Sequence, residues 1–223
     1  MSNSTLNTQH SKLQGGVAPY LEVFKSRRVA VVLLLGFASG LPLALTGSTL
    51  QAWLTVTGVD IRTIAWFSWI GVPYLLKFLW SPLMDRFIPP WLGRRRGWIV
   101  TTQAGLVAGM LGMAATSPDD SLLLVGIFAL WVAFISASQD IVIDAYRTDI
   151  LTIAERGVGA AVGVLGYRIA MLVSGGLALI LADQIGWRPT YVAMAVLVAI
   201  GVGAALWAPE PAMPPAAPTT LRA

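Results

Sequence analysis

Six long apolar stretches, separated by short polar links, organise this chain. They run over Val29–Leu54, Thr63–Met84, Trp98–Thr116, Leu122–Ala145, Gly157–Ala182 and Pro189–Trp207. A helix needs about 20 apolar residues to cross the roughly 30 Å hydrocarbon core of a bilayer. Each stretch is long enough, and the links are too short to hold another domain. The pattern predicts an all-α membrane protein, a bundle of six transmembrane helices over 26–208. Residues 1–25 read as a disordered or interfacial tail, with a short interfacial helix over Tyr20–Ser26. Residues 209–223 read as a Pro/Ala-rich linker or tail, because five prolines follow Trp207 and such composition does not build a packed element.

Composition narrows the chemistry. Charged residues make up 12% of the chain, about half the share usual in a soluble domain. Cysteine is absent and His10 is the one histidine, so disulfides, thiolate metal sites and histidine-based triads have no raw material. No cofactor or metal is expected. The net charge of +4 reads as topology, not as affinity for nucleic acid. Lys12, Lys25, Arg27 and Arg28 precede the first span, Arg86 and Arg94–Arg96 follow the second, and Arg147 and Arg156 flank the link between the fourth and fifth. The alternate links carry Arg62 and Arg188 among Asp60, Asp119, Asp120 and Asp183. Lys/Arg-rich links stay cytoplasmic, which predicts both termini inside. Met1–Gln14 is polar and lacks the apolar core of a signal peptide.

Within the spans, Gly36 and Gly40, Gly105 and Gly109, and Gly159 and Gly163 stand four apart. Small residues at that spacing let helix backbones approach closely in lipid. Pro42 follows Gly40, which predicts a kink in the first span, with Ser39, Thr46, Ser48 or Thr49 satisfying the freed backbone groups. The link at Pro89, Pro90 and Gly93 reads as a turn, and Thr148–Arg156 as a polar link with room for a short surface helix.

Charges among apolar residues cost about 2.5–3.5 kcal/mol or more at a helix centre, so each needs a partner or a job. The candidates are Lys77, Asp140, Asp144 and Arg168. At 1.5 Å per residue, Arg168 lies about 16 Å in from the cytoplasmic end of its span, near the midplane. Lys77 and Asp140 lie about 21 Å and about 27 Å from the outer face, and Asp144 deeper still. Arg168 offers a planar fork for a carboxylate or phosphate; the alternative is a structural pair with an acid on the fourth span. Lys77 can lose its proton when buried, or it simply snorkels. Ser136, Asp140, Asp144 and Arg147 form one polar stripe at helical spacing. That stripe suits proton exchange at Asp140 with Lys77 as partner, or a plain salt-bridge cluster at a helix end. Gln51 gives the first span a polar group facing the same space.

The link SPLMDRFIPPWLGRRRGW resembles the signature loop of the major facilitator superfamily, an Asp-Arg pair followed by Gly-Arg-Arg. Asp85, Arg86, Gly93, Arg94 and Arg95 match. Ser81 stands where that loop usually leads with glycine, and extra residues separate Arg86 from Gly93. The strings GFASGLPLALTGSTLQAWL, KFLWSPLMDR, GRRRGW, SASQDIVIDAYRTD, AERG and LGYRIAMLVSGGLAL together resemble the AmpG-type muropeptide permeases of Gram-negative bacteria, from about Ser26 to Pro211. The resemblance implies the N-terminal six-helix half of a superfamily fold, built as two three-helix repeats, and proton-driven import of anhydromuropeptides across the bacterial inner membrane for cell-wall recycling. It implies gating by Asp85, Arg86, Gly93, Arg94 and Arg95. Substrate carboxylates suit Arg168, and sugar hydroxyls suit Gln51, Gln139, Ser138 and Tyr167. Superfamily carriers hold substrate between two six-helix halves, so this half expects a second half or a copy of itself as partner. A non-transporting membrane scaffold or an inactive truncated fragment remains the alternative; an intramembrane enzyme lacks a serine–histidine pair or two aspartates at midplane depth.

Overall fold

In the computed structural model of the chain, residues 26–211 are described, Ile88 excepted. The tail 1–25, including the interfacial helix expected there, and residues 212–223 lie outside the described residues. Among the described residues there is helix and no strand. Five helices are long and apolar enough to cross a membrane: α1 (Arg27–Val56), α3 (Arg94–Ala115), α4 (Pro118–Ile150), α5 (Arg156–Ile185) and α6 (Trp187–Trp207). The sixth expected span, α2, covers 61–86 in pieces: α-helix at Ile61–Phe67, Val72–Leu76 and Ser81–Arg86, joined by 3₁₀ turns at Ser68–Gly71 and Lys77–Leu79. Pro73 and Pro82 lack the N–H that would bond four residues back, which breaks a continuous α-ladder. The freed Phe78 carbonyl accepts from the Ser81 hydroxyl at 3.2 Å.

The sequence reading places the break of α1 near Pro42; it falls at Gly47 (φ −103°, ψ −110°). Thr46 donates its hydroxyl to the Pro42 carbonyl at 2.9 Å, so the turn after the proline holds and the chain yields at the next glycine. Alongside, α5 widens to a π-turn over Val173–Leu177, and the Ser174 carbonyl accepts from Thr49 at 2.6 Å. The two irregular stretches thus satisfy one another, as backbone in lipid must. The link after α4 is shorter than expected: helix continues to Ile150, and α5 begins at Arg156.

The centre of the bundle is α1, packed against α5, α6 and α4, while α3 lies between α4 and α6. The close approach of α1 and α5 rests on glycine. A Cβ on Gly40 would lie 2.6 Å from the Tyr167 carbonyl; one on Gly36 or Gly166 would collide with the carbonyl of Gly163 or Leu33. Toward the end of the bundle remote from the arginines, Trp53 stacks on Trp187 at 5.6 Å and meets Tyr191 at 5.1 Å. Large apolar side chains of α2 (Trp66, Trp69, Leu75, Phe78, Leu79) and α5 (Leu165, Ile169, Leu172) are exposed. Those faces suit lipid or another bundle, not water.

The arginine-rich end is tied together by ions and caps. Arg95 donates to Asp85 at 2.8 Å and to Asp149 at 2.8 Å. The Glu210 carboxylate accepts from the backbone N–H groups of Arg95 and Arg96, each at 3.2 Å, and so caps α3. Arg96 donates to the Ala205 and Leu206 carbonyls at the end of α6, at 3.0 and 2.9 Å, and Tyr146 donates to the Pro209 carbonyl at 3.0 Å. The first residues beyond α6, read from sequence as linker, are therefore docked on the bundle. Glu155 closes the turn before α5, accepting from the Thr152 backbone N–H at 3.0 Å and from the Ser26 hydroxyl at 2.9 Å. These donors, the Thr152 backbone first, hold its pKa below the ordinary carboxylate value, because they favour the charged form.

Two outcomes are expected. Gly166→Val forces α1 from α5 and costs about 3 kcal/mol, read as unfolding in detergent, whereas Gly203→Ala, with open space around it, is neutral or stabilising by up to about 1 kcal/mol. A depressed carboxylate contributes stability that is complete above its unfolded pKa, about 4.3, and is lost as pH falls through the folded value. Amide exchange over 151–157 should accordingly rise below about pH 4, and Glu155→Gln should raise it already at neutral pH.

Candidate functional site

One face of α1 repeats at helical spacing as Val32, Gly36, Ser39, Leu43, then Thr46–Gly47 and Gln51. Two cavities lie along that face. The first, about 250 Å³, opens toward the arginine-rich end and is lined by Gly36, Ser39, Asp140, Asp144, Arg147, Gly163 and Tyr167, among others. The glycines at the α1–α5 seam leave the room it occupies. The second, about 150 Å³, lies toward the opposite end and is lined by Leu43, Thr46, Gly47, Gln51, Phe67, Ser68, Gly71 and Tyr74.

Asp140 sits at the inner limit of the first cavity. One carboxylate oxygen accepts from the Ser39 hydroxyl at 2.5 Å; the other lies 3.7 Å from the Lys77 ammonium. Only 16% of the Asp140 side chain is exposed, against 35% for Lys77. An ion so placed is held by its partners, since lipid and apolar side chains solvate neither charge. Asp144 and Arg147 pair one turn nearer the surface, at 3.0 Å.

The polar stripe of α4 therefore comes together as read from sequence: Asp140, Asp144 and Arg147 line one cavity, with Tyr167 opposite. Lys77 reaches the stripe through the 3₁₀ turn of α2. Gln51 lines the second cavity. Gln139 is fully buried, and its amide oxygen and nitrogen have no hydrogen-bond partner among the described residues; it lines neither cavity. Arg168 projects from the exposed surface of α5, outside both cavities, while the acids of α4 pair with Lys77 and Arg147. The pairing of Arg168 with an acid on α4, weighed from sequence, is not formed. Ser138 accepts from the Trp80 indole at 3.0 Å.

Of the loop residues, Asp85 and Arg95 form one ion pair at 2.8 Å, Arg94 stands 3.8 Å from Asp149, and Gly93 takes φ 84° at the start of α3. Arg86 is exposed. Sequence reasoning passed over Ser39, Asp149 and Glu210 as partners. The stripe of α1 was the signal for Ser39. For Asp149 and Glu210 only their place at the arginine-rich end was available.

The described residues thus form a six-segment apolar bundle with an ion pair between α2 and α4, cavities on one face of α1 and an Asp85–Arg95 pair at one end. The chain belongs to the major facilitator superfamily, whose sequence profile matches residues 32–223. It is 54% identical over 91% of its length to the anhydromuropeptide permease of Escherichia coli (strain K12), covering 41% of that protein. An uncharacterized protein of Haemophilus influenzae is 40% identical over 79% of the chain, which covers 42% of it. The putative transporter AmpG 4 of Rickettsia felis is 35% identical over 80% of the chain, which covers 44% of it. The chain thus spans about two fifths of the length of the curated relatives it matches.

The Lys77–Asp140 pair supports a direct test. Lys77→Met leaves a half-buried carboxylate without its cation and is expected to cost about 2 kcal/mol, below the fully buried range because Lys77 reaches solvent. Adding Asp140→Asn should restore most of that loss in a double-mutant cycle read by unfolding in detergent. Additive losses would show that the pair carries no coupling.

Proposed function

We propose that the chain is the N-terminal six-helix half of a proton-coupled permease that imports anhydromuropeptides across the bacterial inner membrane. The Lys77–Asp140 pair, set at the head of a cavity inside an apolar bundle, is the observation that carries this reading. A carboxylate that is neutralised alternately by lysine and by a proton couples charge movement to a conformational change. In this scheme Asp140 takes the coupling proton, Lys77 is its counter-charge, and Asp144 with Arg147 guards the entrance. Arg168, exposed on a face that a second half would cover, anchors a substrate carboxylate, and Gln51 and Tyr167 take sugar hydroxyls. Asp85, Arg86, Gly93, Arg94 and Arg95 form the latch that opens and closes the arginine-rich end, which lies in the cytoplasm together with both termini.

The 54% identity to a protein named for anhydromuropeptide transport supports the substrate. The size of the cavity supports the need for a partner. At about 250 Å³ it lies below the roughly 300–1,000 Å³ typical of drug-sized ligands, and a disaccharide-peptide is larger still. A second half, or a second copy, completes the enclosure.

Uptake of labelled anhydromuropeptide into right-side-out vesicles tests this. The chain co-expressed with the C-terminal half of the Escherichia coli permease should give uptake that needs a proton gradient and is lost with Asp140→Asn. Uptake by the chain alone, abolished by Arg168→Ala, would identify a homodimeric carrier. No uptake in either arrangement, with normal membrane insertion, would overturn the transport reading in favour of a scaffold or an inactive fragment.

A further inference from the structure

Between the two cavities the shared face of α1 advances only from Ser39 to Leu43, about 6 Å along the helix. The gap is not filled by apolar side chains alone. Tyr74 of α2 lines the second cavity with its hydroxyl buried, and the Ser136 hydroxyl of α4 is buried one helical turn before Asp140. Among the described residues neither oxygen has a partner in hydrogen-bond geometry. Buried polar groups are nearly always bonded, and one left open asks for a reason. The Tyr74 stretch of α2 packs against α4, and Tyr74 stands within interaction range of Ser136, Thr46 and the Asp140 charge. Two buried hydroxyls therefore lie between a polar cavity and the one deeply placed carboxylate.

We propose that Tyr74 and Ser136 relay protons between the second cavity and Asp140. The proposal rests on the reading of Asp140 as the coupling acid. A hydronium in the second cavity gives its proton to the Tyr74 oxygen as the Tyr74 hydroxyl proton passes to Ser136, and the Ser136 proton passes to the Asp140 carboxylate. One positive charge enters, the carboxylate becomes a neutral acid, water is released, and both hydroxyls end neutral. Rotation of the two hydroxyls resets the line. Lys77 loses its counter-charge when the acid is neutralised. The other charged and titratable groups facing Asp140 are Asp144 and Arg147 from α4 and Tyr167 from α5; α1 contributes the neutral Ser39. All of these stand on the side of the first cavity and set a second, separate route to the acid.

Because Asp140 is reachable from both sides, the test is sided. The full chain is placed in oriented liposomes, and the infrared carbonyl band of protonated Asp140, assigned by its loss in Asp140→Asn, is followed after acidification of one side at a time. Tyr74→Phe and Ser136→Ala, both of which keep the packing, should slow the response to acid at the second-cavity side about a hundredfold, the low end of what a positioned proton-transfer group contributes. The response to acid at the arginine-rich side should be unchanged. Equal responses in variants and wild type, a wild-type response from the arginine-rich side alone, or no band assignable to Asp140 would each overturn the relay. Muropeptide uptake by the wild-type chain co-expressed with the C-terminal half of the Escherichia coli permease separates the two readings: a sided response without that uptake retires the substrate and leaves the relay standing.

Discussion

The backbone contact between α1 and α5 is the constraint on which this structure depends. Gly36, Gly40 and Gly166 allow one helix to lie on the carbonyls of the other. In lipid the helices gain little from hiding apolar surface, so association rests on close packing and on satisfied polar groups. Contact at this distance delivers both. It also brings Thr49 to the carbonyl that the π-turn of α5 sets free. Tyr167 then faces Ser39 and Asp140 across a gap that Gly36 and Gly163 leave unfilled. The seam that holds the bundle is thus also the wall of the cavity, and a side chain at either glycine would take space from the site as well as stability from the fold.

The second organising fact is a charge that the bundle must solvate for itself. Asp140 accepts a hydroxyl from α1 and faces an ammonium from α2. Three helices therefore meet on one carboxylate. Lys77 reaches it from a 3₁₀ turn in a span that prolines have already broken, and a segment so interrupted can shift with less loss of hydrogen bonding than an unbroken helix. Neutralising Asp140 weakens one polar tie of this segment and leaves two others, Trp80 on Ser138 and Asp85 on Arg95. The acid is in this sense a joint between three helices.

Much of this was legible in the sequence, and the reasons differ by element. Five spans follow directly from apolar length, and the charges of α4 fall on one face because 140, 144 and 147 are helical neighbours. The broken course of α2 was hidden because hydropathy records length and not continuity, although Pro73 and Pro82 are its cause. Arg168 drew attention by depth alone. Depth does not say what a side chain lines, and Arg168 lies on the exposed surface of α5 and lines neither cavity. Nothing in the sequence sets Tyr74 apart from the other aromatics; the three-dimensional arrangement shows its hydroxyl buried on the side of α2 that packs against α4. Residues 209 and 210 read as linker on composition, yet Glu210 is a cap on α3, a role that long-range geometry alone assigns.

That docking bears on how the two ends of the bundle differ. At the arginine-rich end, Arg95 bridges Asp85 and Asp149, Arg96 ties α3 to α6, and Glu210 closes the helix start. Four segments are cross-linked by charge-assisted bonds, the stronger class. At the opposite end the links are aromatic stacking of Trp53 on Trp187 and Tyr191 and one exposed ion pair, Arg188 with Asp120. Stacked rings slide with small loss, whereas bidentate and capping bonds are made or broken. A bundle that must open at both ends in turn would therefore behave as a latch at one end and a soft seal at the other. Glu210 is fastened to the arginine-rich end, so a second half joined there would be tied to the more firmly cross-linked end of this bundle.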